Sequence, residues 1–317
     1  MHRDSSHSTP VDTRIIAYRI VKQITLIIVI GILIKSCALD AVRIRGDQMS
    51  PSLLNGDRII IFKTPYLPLV SKITTPPQNR TVVFRHPVDP DKHGCLRMAA
   101  VSGEAIAIDS GIATVKHEGR DIRLRRAVMT EVLPRQYSQR DFMTAYTIPF
   151  PGQTIDIPSL PLRDFFFTAS IIRQENRESS FSLTPSVKMG DTVYHDFPLT
   201  DFSLYKGNIR SIPAQYRYDW FFWDRVLEYL RYSQSDSTIV LNFTLSKDGQ
   251  KLNRYTVRDR YIFLLADNWG GGLDSRYFGP IKKEFVLGSS CCVLWSYGKN
   301  TGGRSVLRAG RFGRIVR

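Results

Sequence analysis

Residues 24–34, ITLIIVIGILI, carry no charged side chain, and this run restricts the architecture of the chain more than any other stretch. Residues 15–21 precede it and SCALDAV follows it, interrupted only by Lys35 and Asp40. Together they match the roughly 20 residues a helix needs to cross a bilayer. A cleaved secretory signal has the same layout of basic start and apolar middle, and Ser36, Cys37 and Ala38 are small enough for a cleavage site. The length of the run favours an uncleaved anchor over residues 15–40. Arg14, Arg19 and Lys22 on its N-terminal side hold residues 1–14 in the cytoplasm. The main domain is then extracytoplasmic, on a single-pass protein of the inner (cytoplasmic) membrane, with Lys35 reaching towards the far interface.

The rest of the 317 residues can bury a core, since 43% of the chain is hydrophobic and 11% aromatic. Its 44 Lys and Arg against 29 Asp and Glu leave a net charge of +15, which calls for an anionic partner, nucleic acid or lipid. The anchor puts the basic domain on the wrong side of the membrane for nucleic acid, so anionic membrane lipids are the expected contact. No glycine-rich phosphate loop joins a strand to a helix, so no nucleotide is expected. The segment GRSVLRAGRFGRIVR spaces Arg304, Arg308 and Arg311 at i, i+4 and i+7, and residues 301–317 read as a basic tail for lipid headgroups or as a solvated one. The cysteines Cys37, Cys95, Cys291 and Cys292 have no metal-site spacing, and neither metal nor cofactor is expected. Buried free thiols are the plain reading; a bridge from Cys95 to Cys291 or Cys292 is the alternative in an oxidising compartment.

Beyond the anchor, short apolar runs bounded by turn residues recur. They are DRIIIFK (57–63), RTVVFRHP (80–87), CLRMAAV (95–101), AIAI (105–108), YIFLLADN (261–268) and VLGSSCCVLWSYG (286–298). Runs of four to eight residues rich in Ile, Val and Phe predict strands, so the fold class is mostly β. A β core is expected over 41–115 and 255–300. The stretch 116–254 reads as an inserted, less regular second region, whose one soluble helix falls at DWFFWDRVLEYLRY (219–232).

Four segments, GDQMSPSL, VVFRHP, LRMAAVSGE and LLADNWGGGLDSRYFGP, stand in the order and spacing of the conserved blocks of the type I signal peptidases. From anchor to last strand the chain resembles that family. Its blocks read G-D-S-M-x-P-T-L, V-V-V-F-x-x-P, K-R-V-V-G-x-P-G-D and G-D-N-R-x-N-S-x-D-S-R-x-W/F-G. The resemblance implies a β core at the outer membrane face that cuts signal peptides from exported preproteins, using a serine nucleophile and a lysine base. Lysine, with a free pKa near 10.4, accepts a serine proton at neutral pH only where burial makes its charge costly.

In this chain the family's nucleophile slot holds Gln48, whose carboxamide has no hydroxyl to activate. The general-base slot falls on Leu96, and the serine beside the lysine is Gly272, with Ala266 in place of the leading glycine. The remaining block positions persist. Met49, Ser50, Pro51 and Ser52 would line a peptide groove, and Arg97, Asp267, Asn268, Asp274, Ser275 and Arg276 would hold the site, with Arg97 paired to Asp267 and Asp274 to Arg276. On an extended chain Ser50 lies about 6 to 7 Å beyond Gln48. Lys63, His86 and His93 are near it in sequence only. No proteolytic group is therefore expected, and the chain reads as a pseudopeptidase that binds signal peptides, beside an active paralogue or the export machinery. The alternative is an active serine endopeptidase using other residues.

Overall fold

The computed structural model describes residues 13–63, 79–87, 91–117, 120–125, 141–299 and 302–316. Residues 1–12 of the expected cytoplasmic tail lie outside them. Helix α1, Thr13–Cys37, leads after one residue into strand β1, Leu39–Arg43. The side chains described along α1 belong to residues 17–32 and are all exposed. Among the described residues no helix is long and apolar enough to cross a membrane.

The strands that follow are β2 (Asp57–Phe62), β3 (Thr81–Arg85), β4 (His93–Val101), β5 (Ala105–Asp109), β6 (Ile112–His117), β7 (Arg120–Arg125) and β8 (Met143–Thr147). Later come β9 (Phe181–Met189), β10 (Val240–Lys247), β11 (Tyr261–Leu265), β12 (Ile281–Lys282), β13 (Val286–Lys299) and β14 (Ser305–Leu307). A large antiparallel sheet has the order β1-β2-β13-β3-β4-β11-β12, with β14 on β13. A second sheet runs β7-β6-β5-β8, and a third is built on the β9–β10 pair. The fold is mostly β.

Two apolar clusters lie on opposite faces of the large sheet's far half. One gathers Ile59, Ile61, Val82, Leu96, Met98, Ile262 and Leu264; the other gathers Tyr261, Phe263 and Leu265 with the second sheet and the helices. All five residues of β11 are buried because successive side chains alternate between the two clusters. That position explains the unbroken apolar run YIFLL, where a strand with one wet face would alternate.

The middle region is more ordered than its sequence suggests. Strand β6 runs across the boundary expected at 115, and a second helix, α2, spans Leu162–Glu175. Its three consecutive phenylalanines, Phe165 to Phe167, resemble strand sequence, and Pro161 at its N-cap offers no side-chain hydrogen bond. The expected helix is α3, Trp220–Ser233, capped by Asp219, whose carboxylate accepts from the N–H groups of Phe221 and Phe222. Phe222, Trp223, Val226 and Leu230 form its buried stripe.

Cys95, Cys291 and Cys292 are free thiols, the plain reading of the sequence, and the alternative bridge is not formed. Strand β3 lies between β4 and β13, so about two strand spacings, near 10 Å, separate the backbones, beyond the reach of a disulfide. The C-terminal segment is not a loose solvated tail: Val293 N–H donates to Arg314 O, Gly313 N–H to Val293 O and Val316 N–H to Cys291 O, laying it along β13.

Candidate functional site: the slots between the first and last blocks

The first block does not run extended. Ser50 N–H donates to Asp47 O at 3.1 Å and Leu53 N–H to Met49 O at 2.8 Å, so residues 47–53 turn twice before β2. The turn sends Met49 and Leu53 into the core at 2% and 0% exposure. Asn268, from the loop after β11, fastens this turn: its N–H donates to Gln48 O at 2.9 Å and its Nδ2 to Asp47 O at 3.2 Å. Gln48 and Gly272 are thereby neighbours. A Cβ added at Gly272 would stand 3.6 Å from that of Gln48, 2.9 Å from Asn268 O and 2.5 Å from that of Ala266.

That last contact links two departures from the family pattern. Where the family carries glycine at one position and serine at the other, this chain carries Ala266 and Gly272, and the methyl group of Ala266 occupies space that a side chain at 272 would need. Leu96 is 1% exposed and packs with Met49 and Ala266 in one cluster. Gln48, Leu96 and Gly272 thus present an amide, a buried isobutyl group and no side chain.

The surrounding framework is fully bonded. Arg97 grips Asp267 with two parallel bonds, Nε to Oδ1 and Nη2 to Oδ2, both 2.7 Å, while its Nη1 donates to Asn79 O. Such fork-on-fork pairing fixes orientation as well as charge. Asp274, 0% exposed, accepts from Arg276 Nε and Nη2, each at 2.8 Å, and from the N–H of Arg276 and of Ala266. Ser275 Oγ accepts from Leu264 N–H at 2.9 Å. These bonds pin the last block to β11 and so fix the height of the loop that carries Asn268 and Gly272.

Three partners escape sequence reading. Arg311 reaches back to the buried Asp57 of the first block, Nε to Oδ1 at 3.0 Å and Nη2 to Oδ2 at 2.5 Å, and also donates to Ser52 O. Burial opposes ionisation of Asp57, and the bonds from Arg311, Leu54 N–H and Ser296 outweigh it, holding the carboxyl below its ordinary value. Trp269 stacks under Arg276, guanidinium carbon 4.6 Å from the ring centroid, and its carbonyl accepts from Nη2. Glu104 closes the tight turn between β4 and β5 by accepting from Val101 N–H, and it bonds the His117 ring.

The other candidate groups sit elsewhere. Lys63 pairs with Asp40 at 3.7 Å, His86 meets Phe278 edge-on, and His93 is exposed on β4, an odd number of residues from Leu96 and so on the opposite face. Burial, with Asp267 beside it, pushes the Cys95 thiol up to about 12, so it is no thiolate nucleophile. Among the described residues no three His, Cys, Asp or Glu side chains converge as metal ligands would.

The sheet leaves one open edge beside these slots. Strand β11 ends at Leu265, opposite Arg97, whereas β4 begins at His93. Residues 93–96 of β4 therefore pair with β3 on one side and, among the described residues, have no ladder partner on the other.

The family profile described as "Signal peptidase, peptidase S26" matches residues 17–158 and 214–295. The chain belongs to this family. It is 19% identical over 274 residues, 86% of this chain and 82% of the relative, to a protein named "Signal peptidase I" from Aquifex aeolicus (strain VF5). Family membership implies substrates that bear signal peptides. The profile passes over 159–213, where α2 and β9 lie.

Proposed function

We propose that this protein is a membrane-anchored pseudopeptidase that holds signal peptides of exported preproteins without cutting them by Ser/Lys chemistry. One observation carries the reading. Gln48 and Leu96 occupy the nucleophile and base slots, Leu96 is 1% exposed, and the ion pairs around them are complete. Acyl transfer needs a hydroxyl or thiol and a base within about 3 Å of its proton. An amide and an alkyl chain supply neither. The open edge of β4 at 93–96 offers backbone donors and acceptors to an extended peptide, the usual mode of strand addition. The uncharged run 24–34 within α1 supports a single membrane-spanning anchor with its N-terminus in the cytoplasm, and the charge of +15 supports contact with anionic lipid.

The test is direct. The purified full chain in detergent should leave a preprotein intact. A signal peptide carrying a photo-crosslinker should label residues 93–96 or 47–52. Cleavage that is abolished by Ser50→Ala or Ser52→Ala would establish the alternative, an active peptidase with other groups. Absence of labelling at both segments would remove peptide binding.

A further inference from the structure

On the outer face of the large sheet two arginines stand directly opposite each other. The β1–β2 register pairs Arg43 with Arg58, and the β2–β13 register pairs Arg58 with Trp295. Like charges in this position destabilise an antiparallel pair. Among the described residues neither arginine makes an ion pair. The nearby carboxylates are committed: Asp57 is adjacent in sequence, points to the opposite face and is held by Arg311, and Asp40 pairs with Lys63. Arg58 lies instead over the Trp295 indole, 5.2 Å from the ring centroid.

These groups surround a cavity of about 310 Å³, lined by Arg43, Gly56, Arg58, Trp295, Tyr297 and Ser305. Its floor is bare backbone by necessity. Gly56 has φ +93°, and a Cβ there would lie 1.9 Å from Tyr297 O. Along the same face, moving back towards α1, the opposed pairs become apolar, Ala41 with Ile60 and Leu39 with Phe62, the last 44% exposed. Helix α1 ends two residues before Leu39, and Arg43 lies four residues, about 14 Å, beyond Leu39 along the strand. Apolar side chains nearest the helix, then arginines with a tryptophan and a tyrosine, follow the polarity of a membrane interface.

We propose that this cavity binds the phosphate oxyanion of an anionic phospholipid headgroup, with both guanidiniums donating to it and Ser305 offering a hydroxyl. The inference rests on the membrane reading above. It concerns the outer face of β1, β2 and β13, not the slots around Gln48.

Trp295 supplies the readout, because it is 38% exposed while Trp220, Trp223 and Trp269 are 6%, 1% and 2% exposed. The full chain is placed in detergent micelles doped with about one-third phosphatidylglycerol or the same fraction of phosphatidylcholine, and acrylamide quenching is measured; the anionic lipid should lower it roughly twofold. Trp295→Phe should remove the quenchable signal. Arg43→Glu sets a carboxylate against Arg58, so it should erase the lipid effect with no fall in melting temperature. Equal quenching in both lipids, or a lipid effect that survives Arg43→Glu, overturns the proposal. Full protection by about 10 mM inorganic phosphate or glycerol 3-phosphate without lipid would overturn the lipid source in favour of a soluble phosphate. Separately, failure of the chain to float with vesicles of either lipid would overturn the anchor itself, and this site with it.

Discussion

The slots around Gln48 and the ion pairs around Asp274 belong to the same set of sequence blocks yet differ in their physical character. The slots hold groups that neither transfer protons nor pair with charge. The ion pairs keep their geometry, with Arg276 and Asp274 at 2% and 0% exposure. A substitution at a slot removes chemistry and leaves packing, since leucine suits a buried site better than lysine does. A substitution in a buried pair strands a charge. The difference teaches that framework and chemistry in this cleft are under separate constraints, and that an intact motif around a site says little about whether it reacts.

Four measurements would break or sharpen that contrast. Asp274→Ala should cost about 3 to 5 kcal/mol in denaturant unfolding because it leaves Arg276 uncompensated, whereas Gln48→Ala should cost less than about 1 kcal/mol. Equal losses would erase the distinction. Arg311→Met should cost about 3 kcal/mol, slightly less because the arginine is nearer solvent, and would show that the C-terminal segment belongs to the framework. Gly272→Ser should cost about 1 to 3 kcal/mol through the clash with Ala266, and Ala266→Gly should restore most of it, a coupling read from a double-mutant cycle.

The smallest effect is on pH dependence. The Asp57 carboxyl is held below its ordinary 3.8, so its contribution is complete above that value and fades as pH falls through the folded one. The melting temperature should therefore fall as pH drops below about 4, and Arg311→Met should flatten that part of the curve.

Much of this was legible in the chain. Strands such as DRIIIF and YIFLL announce themselves by β-branched and aromatic runs, and the block pattern pointed to Gln48 and Gly272, which the structure makes neighbours. What stayed hidden depended on distance or on ambiguous propensity. Asp57 and Arg311 are 254 residues apart, and nothing local marks Arg311 as different from Arg304 or Arg308. Helix α2 was hidden by its phenylalanine run, whose propensity yields to burial against β10 and its neighbours. The first block was read as extended when Ser50 was placed against Gln48, whereas it turns twice, and that turn faces Met49 inward.

The exchange at Ala266 and Gly272 makes the change in this cleft directional. A lone hydroxymethyl group placed at position 272 finds its volume already taken by a methyl, so a single substitution there is disfavoured by packing alone. A serine at 272 is accommodated only when Ala266 is replaced at the same time. The local packing works as a ratchet.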